Sequence, residues 1–417
     1  MRDLLIVLFF IPILAFAQNK PDTVQKEIPH RVNTKEQQQK PYVILISADG
    51  FRYDLADRYH ATNIIKHRAE GITTRSMKPA YPSLTFPNHY TIATGLYPSH
   101  HGLVDNTFYD SKKKATYHIG SKAVRDSSWY GGTPIWTLAE QQHMLSASFF
   151  WVGSEAAIQG VRPTYYYNYS TAIPLAKRIE AVRKWLTLPE EKRPHLITFY
   201  ISDVDHEAHM HGPVSKETEH AVKTVDEYIA ALTHVTDSLK LPVNYIFVSD
   251  HGMAEVDTTK TNILNLPQLI DTSKFVIPRG STILHLYAKD KSAIEPAYQK
   301  LKGTSKYYDV YRATEVPTRL RYSTTDDRYQ RIGDIVIIAR SPYLIPNTYK
   351  GVHGMHGYDN EVPDMQATFY AWGPAFKPTT LTTIDNIDIY PLIARILGLT
   401  ITEKIDGSIK SLQKALK

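Results

Sequence analysis

Residues 42–49 read YVILISAD, residues 196–205 read LITFYISDVD and residues 244–251 read NYIFVSDH. Each opens as an unbroken apolar run of strand length, which predicts a strand buried on both faces. Each run ends almost at once in acid: Asp49 after the first, Asp203 and Asp205 after the second, Asp250 with His251 after the third. In open α/β sheets ligands gather at the carboxyl ends of the strands, so these acids are expected to converge on one crevice. Residues 365–372, MQATFYAW, follow a His-rich loop and fit the same plan as a fourth strand. Between these runs Leu175, Ile179, Val182 and Leu186 recur at helical spacing, as do apolar residues between Ser215 and Leu239. Ile387 to Leu399 reads as a closing helix. The expected fold class is α/β, a mostly parallel central sheet flanked by helices. The stretch from about Ala288 to Tyr349 is more irregular and reads as a smaller inserted subdomain within a domain spanning residues 41–417.

Composition narrows the chemistry. A chain of 417 residues with 42% apolar and 22% charged residues is ordinary globular material. Its 48 Lys and Arg against 42 Asp and Glu leave a net charge of +6, with no long run of like charge. That disfavours a dedicated nucleic-acid-polymer binder and suits a small anionic substrate. The absence of cysteine removes disulfides, Fe–S clusters, thiolate zinc sites and Cys nucleophiles together. Any metal is therefore left to His, Asp, Glu, hydroxyls or water.

Leu4 to Ala17 is almost wholly apolar and ends in Ala15-Phe16-Ala17, the small-x-small pattern of a signal cleavage site. A membrane span needs about twenty such residues, so residues 1–17 read as a signal peptide and the protein as exported, without a stable span after cleavage. Residues 18–40 are polar and Gln-rich, and read as a linker.

Asp205 and His209 lie in SDVDHEAHMHGP (202–213), His356 lies in HGMHGYDN (353–360), and Asp49, Asp250 and His251 complete the set. Three carboxylates and three imidazoles hold enough oxygen and nitrogen for two divalent ions without sulfur. Crowded carboxylates repel, and bound cations remove that cost. Thr85, in SLTFPNHYTIATG (83–95), stands where a helix begins, a place that favours phosphate. Two readings apply to it: an N-cap only, or a nucleophile, which at neutral pH needs direct metal coordination.

The motifs ADGFRYD, TFPNHYTIATGLYPSHHGLVDN, WYGGTPIW, DxxxHxxGP, SDHGM and HGYDN, in that order from about Pro41 to Lys377, resemble the nucleotide pyrophosphatase/phosphodiesterase (type I phosphodiesterase) family of the alkaline phosphatase superfamily. The resemblance implies an alkaline-phosphatase-like fold and two Zn2+ per chain, one held by Asp205, His209 and His356, the other by Asp49, Asp250, His251 and the Thr85 oxygen. It implies that Thr85 attacks phosphorus to form a covalent phosphothreonine, and that Asn106, assisted by the Phe86 N–H, binds a phosphate oxygen. Phe86 and Tyr169 match positions that stack a nucleoside base, and Trp151 and Glu155 match other pocket positions. The competing reading of Tyr165 to Tyr169 is an aromatic edge strand. His206, His211 and His353 are near the ligand set, but the Asp205-to-His209 spacing ahead of Gly212-Pro213 selects His209. Asp203 reads as a turn residue or as an acid behind the ligands, and not as a ligand itself. Residues 119–127 match the family's pocket poorly. The cysteine-free chain resembles the bacterial members, which implies a periplasmic or secreted location. The implied activity is release of nucleoside monophosphate from nucleotide diesters or pyrophosphates. The alternatives are a phospholipase C-like or glycerophosphodiester activity on choline headgroups, and a non-catalytic zinc-binding protein.

Overall fold

The computed structural model describes residues 22–260, 263–345 and 351–417. The expected signal peptide, residues 1–17, lies outside the described residues. In chain order the larger sheet contains β1 (Lys26–Glu27), β2 (Tyr42–Ala48), β3 (Ile72–Thr74), β4 (Ser146–Phe149), β5 (Tyr165–Tyr167), β6 (Leu196–Ile201) and β7 (Val243–Val248). A smaller sheet follows, built from β8 (Phe275–Val276), β9 (Ile283–Ala288), β10 (Tyr308–Arg312) and β11 (Ile335–Ala339). The chain then returns to the larger sheet as β12 (Phe369–Trp372) and β13 (Thr379–Leu381). The nine strands lie in the order β1-β5-β4-β6-β2-β7-β12-β3-β13.

The five strands β5-β4-β6-β2-β7 are mutually parallel. Their apolar runs are buried on both faces, with side chains alternating between two cores. Val43 and Leu45 pack on one side of β2, and Ile44 and Ile46 on the other. On that second side lie α2 (Leu175–Leu186) and α4 (Lys216–Ser238), which present Ile179, Val182, Val222, Val225 and Ile229. Opposite them lie α1 (Thr85–Thr94) and α5 (Ile389–Leu397). Helix α4 begins where the Ser215 hydroxyl accepts a hydrogen bond from the Thr218 N–H, with Glu217 and Glu219 in its first turn.

Two expectations need correction. The strand from the 365–372 run does not follow the parallel plan: β12 is antiparallel to β7, with Phe369 opposite Val248. The reason is where the chain comes from. The His356 loop lies at the carboxyl ends of β2 and β7, so the strand after it starts there and runs the other way. Nor is the polar stretch a free linker where it is described, over 22–40. Lys26 and Glu27 pair with Tyr166 and Tyr165, and buried Asn33 donates to the carbonyls of Glu190 and Arg193. Backbone pairing needs no apolar side chains, so polar composition conceals it. Among the described residues no helix is long and apolar enough to cross a membrane.

The smaller sheet is antiparallel, in the order β8-β9-β11-β10, over its own core of Leu286, Tyr298, Leu301 and Ile337. It lies between β7 and β12 in the chain, and its Ile283, Val336 and Ile338 pack into the same core as α1 and α5, on the side opposite α2 and α4.

Leu45, fully buried in the central strand, tests this arrangement. Leu45→Ala is expected to lower unfolding free energy by about 2–5 kcal/mol in urea denaturation, and a loss below about 1 kcal/mol would contradict a packed two-sided sheet.

Candidate active site

The acids do meet at the carboxyl ends of the parallel strands. Asp49 directly follows β2, Asp250 follows β7, and Asp205 lies in the first turn of α3 (Asp203–His211), which follows β6. Gly50 brings the first and last of these together. Its φ of 67° is left-handed, and a Cβ there would come within 3.0 Å of the Asp205 Cα, so a side chain would push the two loops apart. Its N–H donates to Asp250 Oδ1 at 3.2 Å.

The three histidines share one arrangement. His209 Nδ1 lies 2.8 Å from the Gly354 carbonyl, His251 Nδ1 2.8 Å from the Gly252 carbonyl and His356 Nδ1 2.9 Å from the Ser83 carbonyl. A carbonyl accepts only, so each Nδ1 carries the proton and each Nε2 presents a lone pair. Those lone pairs face carboxylate oxygens. His251 Nε2 is 3.0 Å from Asp250 Oδ2 and 3.5 Å from Asp49 Oδ1, and His209 Nε2 is 3.4 Å from Asp205 Oδ1. Asp49 Oδ1, Asp205 Oδ1 and Asp250 Oδ2 are buried and accept no hydrogen bond. Acceptors facing acceptors in a buried site call for a cation between them. Tetrahedral bonds of about 2.0–2.1 Å put neighbouring ligand atoms about 3.3 Å apart, so the spacing suits a small divalent ion.

Two groups of donor atoms are tight enough to hold ions: Asp49 with Asp250 and His251, and Asp205 with His251 and His356. His251 is common to both, its ring stacked on that of His356 at 3.6 Å. His209 stands beside the second group, its ring centre 5.0 Å from that of His356.

Without a cation the electrostatics are strained. Burial pushes the Asp49 carboxyl well above its ordinary range, and Asp250 and Asp205 push it further. Burial also opposes the charges of Asp250 and His251. With no cation present, however, Asp250 raises His251 so that its Nε2 takes up a proton, and this ring together with His89 holds the Asp250 carboxyl well below its ordinary range. Burial lowers His356, and neighbouring His251 and His209 lower it further. Divalent ions at the two donor groups would offset the charge of all three carboxylates.

Thr85 is the first residue of α1. The residue before it, Leu84, is extended and no side chain caps the helix, so the N-cap reading of Thr85 does not hold. Its Oγ1 instead lies 3.2 Å from His251 Nε2. Asn106 faces the same helix start: its Oδ1 accepts from the Phe86 N–H at 3.0 Å. That departs from the expected arrangement, in which both groups bind phosphate. Here the Phe86 N–H is spent on Asn106 and fixes the amide, leaving the NH2 to donate.

Asp49, Thr85, Phe86, Trp151, Glu155, Tyr169 and Asp205 line one cavity of about 590 Å3. Tyr169 is half exposed beyond the end of β5, and β5 itself has neighbours on both sides, so it is not an edge strand. The expectation for Glu155 needs qualification: its carboxylate is already engaged by Arg125 Nε at 2.8 Å and by the Tyr169 N–H at 2.8 Å. Residues 119–127, the poorly matching stretch, supply Ile119, Ser121, Lys122, Val124 and Arg125 to the wall.

The structure adds two residues that sequence reasoning passed over. The Tyr200 hydroxyl donates to Asp49 Oδ2 at 2.6 Å, and burial beside Asp49 pushes that hydroxyl well above its ordinary range, so it stays a donor. His89, one helical turn after Thr85, lies 3.3 Å from Asp250 Oδ2 and 2.8 Å from Ser47 Oγ. Its place in the TFPNHY motif was a usable signal; Tyr200, within an apolar strand, offered none.

Residues 43–359 match the family model of the type I phosphodiesterases / nucleotide pyrophosphatases. The chain belongs to that family. Among the curated members of the type I phosphodiesterase / nucleotide pyrophosphatase family, the venom phosphodiesterase of Crotalus durissus collilineatus is 34% identical over 391 residues, 90% of this chain and 46% of the relative. Ectonucleotide pyrophosphatase/phosphodiesterase family member 1 of Mus musculus is 34% identical over 408 residues, 91% of this chain and 43% of the relative. The chain thus spans about half the length of the curated relatives it matches. Among solved structures, murine ectonucleotide pyrophosphatase/phosphodiesterase 5, in an inactive threonine-to-alanine form in complex with AMP, superposes with a TM-score of 0.84 at 27% identity. That match covers 91% of this chain and 100% of the other. The fold is therefore that of this family.

Tyr200→Phe leaves a buried carboxylate oxygen without its donor and is expected to cost about 1–3 kcal/mol of stability. Chemical denaturation of the metal-free protein measures this, and an unchanged midpoint would count against the hydrogen bond.

Proposed function

We propose that this chain is an exported, zinc-dependent phosphodiesterase and nucleotide pyrophosphatase that releases nucleoside monophosphates by way of a phosphothreonine on Thr85. The observation that carries the proposal is the position of the Thr85 hydroxyl: at an uncapped helix start and within 3.2 Å of His251, beside buried carboxylate oxygens that accept no hydrogen bond.

The donor set fits two zinc ions, being imidazole nitrogen and carboxylate oxygen without sulfur. Asp205, His209 and His356 would hold one; Asp49, Asp250, His251 and Thr85 would hold the other. When bound, the ions supply Lewis acidity and neutralise charge at the reacting phosphate. The rest falls to the chain itself. At the start of α1 the Phe86 N–H is held by Asn106, Pro87 has none and the Asn88 N–H bonds the Leu84 carbonyl, so the Thr85 N–H is the amide left to face a phosphate. The Thr85 Oγ–P bond forms as the P–O bond to the leaving group breaks; water then cleaves the phosphothreonine ester and restores the hydroxyl. The Asn106 NH2, its amide fixed through Oδ1, donates to a non-bridging oxygen, a role worth about 3 kcal/mol of transition-state stabilisation. Phe86 and Tyr169 line the same cavity and offer faces for a base, at about 1–3 kcal/mol per stacked base. Lys122 and Arg125 add positive charge to the wall. Export is supported by the signal-like N-terminus and by relatives named as venom and ectonucleotide enzymes.

Zinc-loaded protein is expected to cleave p-nitrophenyl thymidine monophosphate faster than p-nitrophenyl phosphocholine or p-nitrophenyl phosphate. Preference for the choline ester would replace the nucleotide reading. Thr85→Ala is expected to lower kcat by about a thousandfold or more, and near-normal turnover by the metal-loaded variant would remove Thr85 as the nucleophile. Asp205→Ala is expected to bind one zinc ion fewer by elemental analysis, and a full complement would overturn its assignment.

A further inference from the structure

The loop that carries Asn106 is held by the smaller sheet and the segment between its strands. Asp105 is buried, and its Oδ2 lies 3.1 Å from His285 Nε2 on β9. His285 Nδ1 lies 2.9 Å from the Ile332 carbonyl, so both ring nitrogens face acceptors and the ring is locked between them. Asp105 Oδ1 accepts from the Thr107 N–H at 3.1 Å. The buried Tyr322 hydroxyl donates to the Val104 carbonyl. Residues 104, 105 and 107 are thus each tied down, and Asn106 projects from between them. On either flank Arg331, 1% exposed, donates to the Gly102 carbonyl at 2.9 Å and to Asp110 Oδ2 at 2.9 Å.

We infer that His285 and Tyr322 are positioning residues for Asn106, and that the smaller sheet sets the phosphate-binding geometry of a site whose metal-ligand residues belong to the larger one. The inference rests on the reading of Asn106 as a phosphate donor. Buried polar contacts of this kind are a poor source of stability, since apolar side chains of like volume fill such space at lower desolvation cost. What they do supply is direction. The Asn106 amide is pinned at Oδ1 by Phe86, and the chain around it is tied to the smaller-sheet region through Val104 and Asp105 before it and Asp110 after it, so its NH2 has one place to point. Displacing such a donor by about 1 Å is enough to cost up to about a hundredfold in rate.

The test is a double-mutant cycle on the full zinc-loaded chain, with p-nitrophenyl thymidine monophosphate as substrate. His285→Leu is expected to lower kcat by about tenfold or more and to leave KM within about twofold, with metal content unchanged. Tyr322→Phe keeps the ring that packs on Tyr81 at 5.1 Å and loses the hydroxyl that donates to Val104 and lies 3.4 Å from His285 Nε2; it is expected to lower kcat several-fold, and it carries the test if His285→Leu does not fold. In an Asn106→Ala background both substitutions are expected to change kcat by less than about twofold, because the group they act through is gone. Equal fold-losses in the two backgrounds, or unchanged kcat in the Asn106 background of the natural chain, would overturn the inference and leave the active-site reading standing. A normal kcat for Asn106→Ala alone would overturn the inference together with the phosphate-donor reading of Asn106 on which it rests.

Discussion

Three carboxylates placed at one sheet edge, with oxygens that accept no hydrogen bond, set the terms for everything around them. Left alone they repel, and burial raises the cost of each charge. The surrounding groups are those that a shared cation requires: imidazoles with Nδ1 tied to carbonyls and Nε2 turned inward, and a glycine where two loops approach too closely for a side chain. Tyr200 and His89 stand behind the acids, one donating to Asp49 and the other lying 3.3 Å from Asp250 Oδ2 with its Nε2 on Ser47. The fold positions these groups by ending parallel strands at a common level, so the candidate metal-binding constellation follows from strand register more than from any local motif.

How much of this was legible depends on whether a signal was local. Strands β2, β6 and β7 announce themselves as apolar runs, and the acids after them are adjacent in sequence, so their convergence follows from topology alone. Helices α2 and α4 carry a clean 3.6-residue period. The direction of β12 was hidden, because strand direction is a property of the path between elements and not of the strand. The docking of Lys26 and Glu27 was hidden because backbone hydrogen bonds leave no trace in composition. Tyr200 was hidden because a hydroxyl at the end of a buried strand looks like one more aromatic core residue. The Phe86–Asn106 contact, linking residues 20 apart, was read as two parallel donors where one in fact serves to hold the other.

The cavity wall shows a similar division. Phe86, Trp151 and Tyr169 sit where a base-binding surface was expected, while Arg125 takes up the carboxylate of Glu155 and the stretch around Lys122 closes one side. The candidate metal ligands thus face a wall that residues 119–125, a stretch outside the sheet, close on one side.

The margins of the large sheet have a consequence of their own. Its outermost strands, Lys26–Glu27 and Thr379–Leu381, are two and three residues long. So short a border offers few free amides and carbonyls to another molecule, and one border is charged at both positions. A nine-stranded sheet that ended on its longer inner strands would present a template for fibril-like stacking; the brief flanking segments deny that growth a foothold.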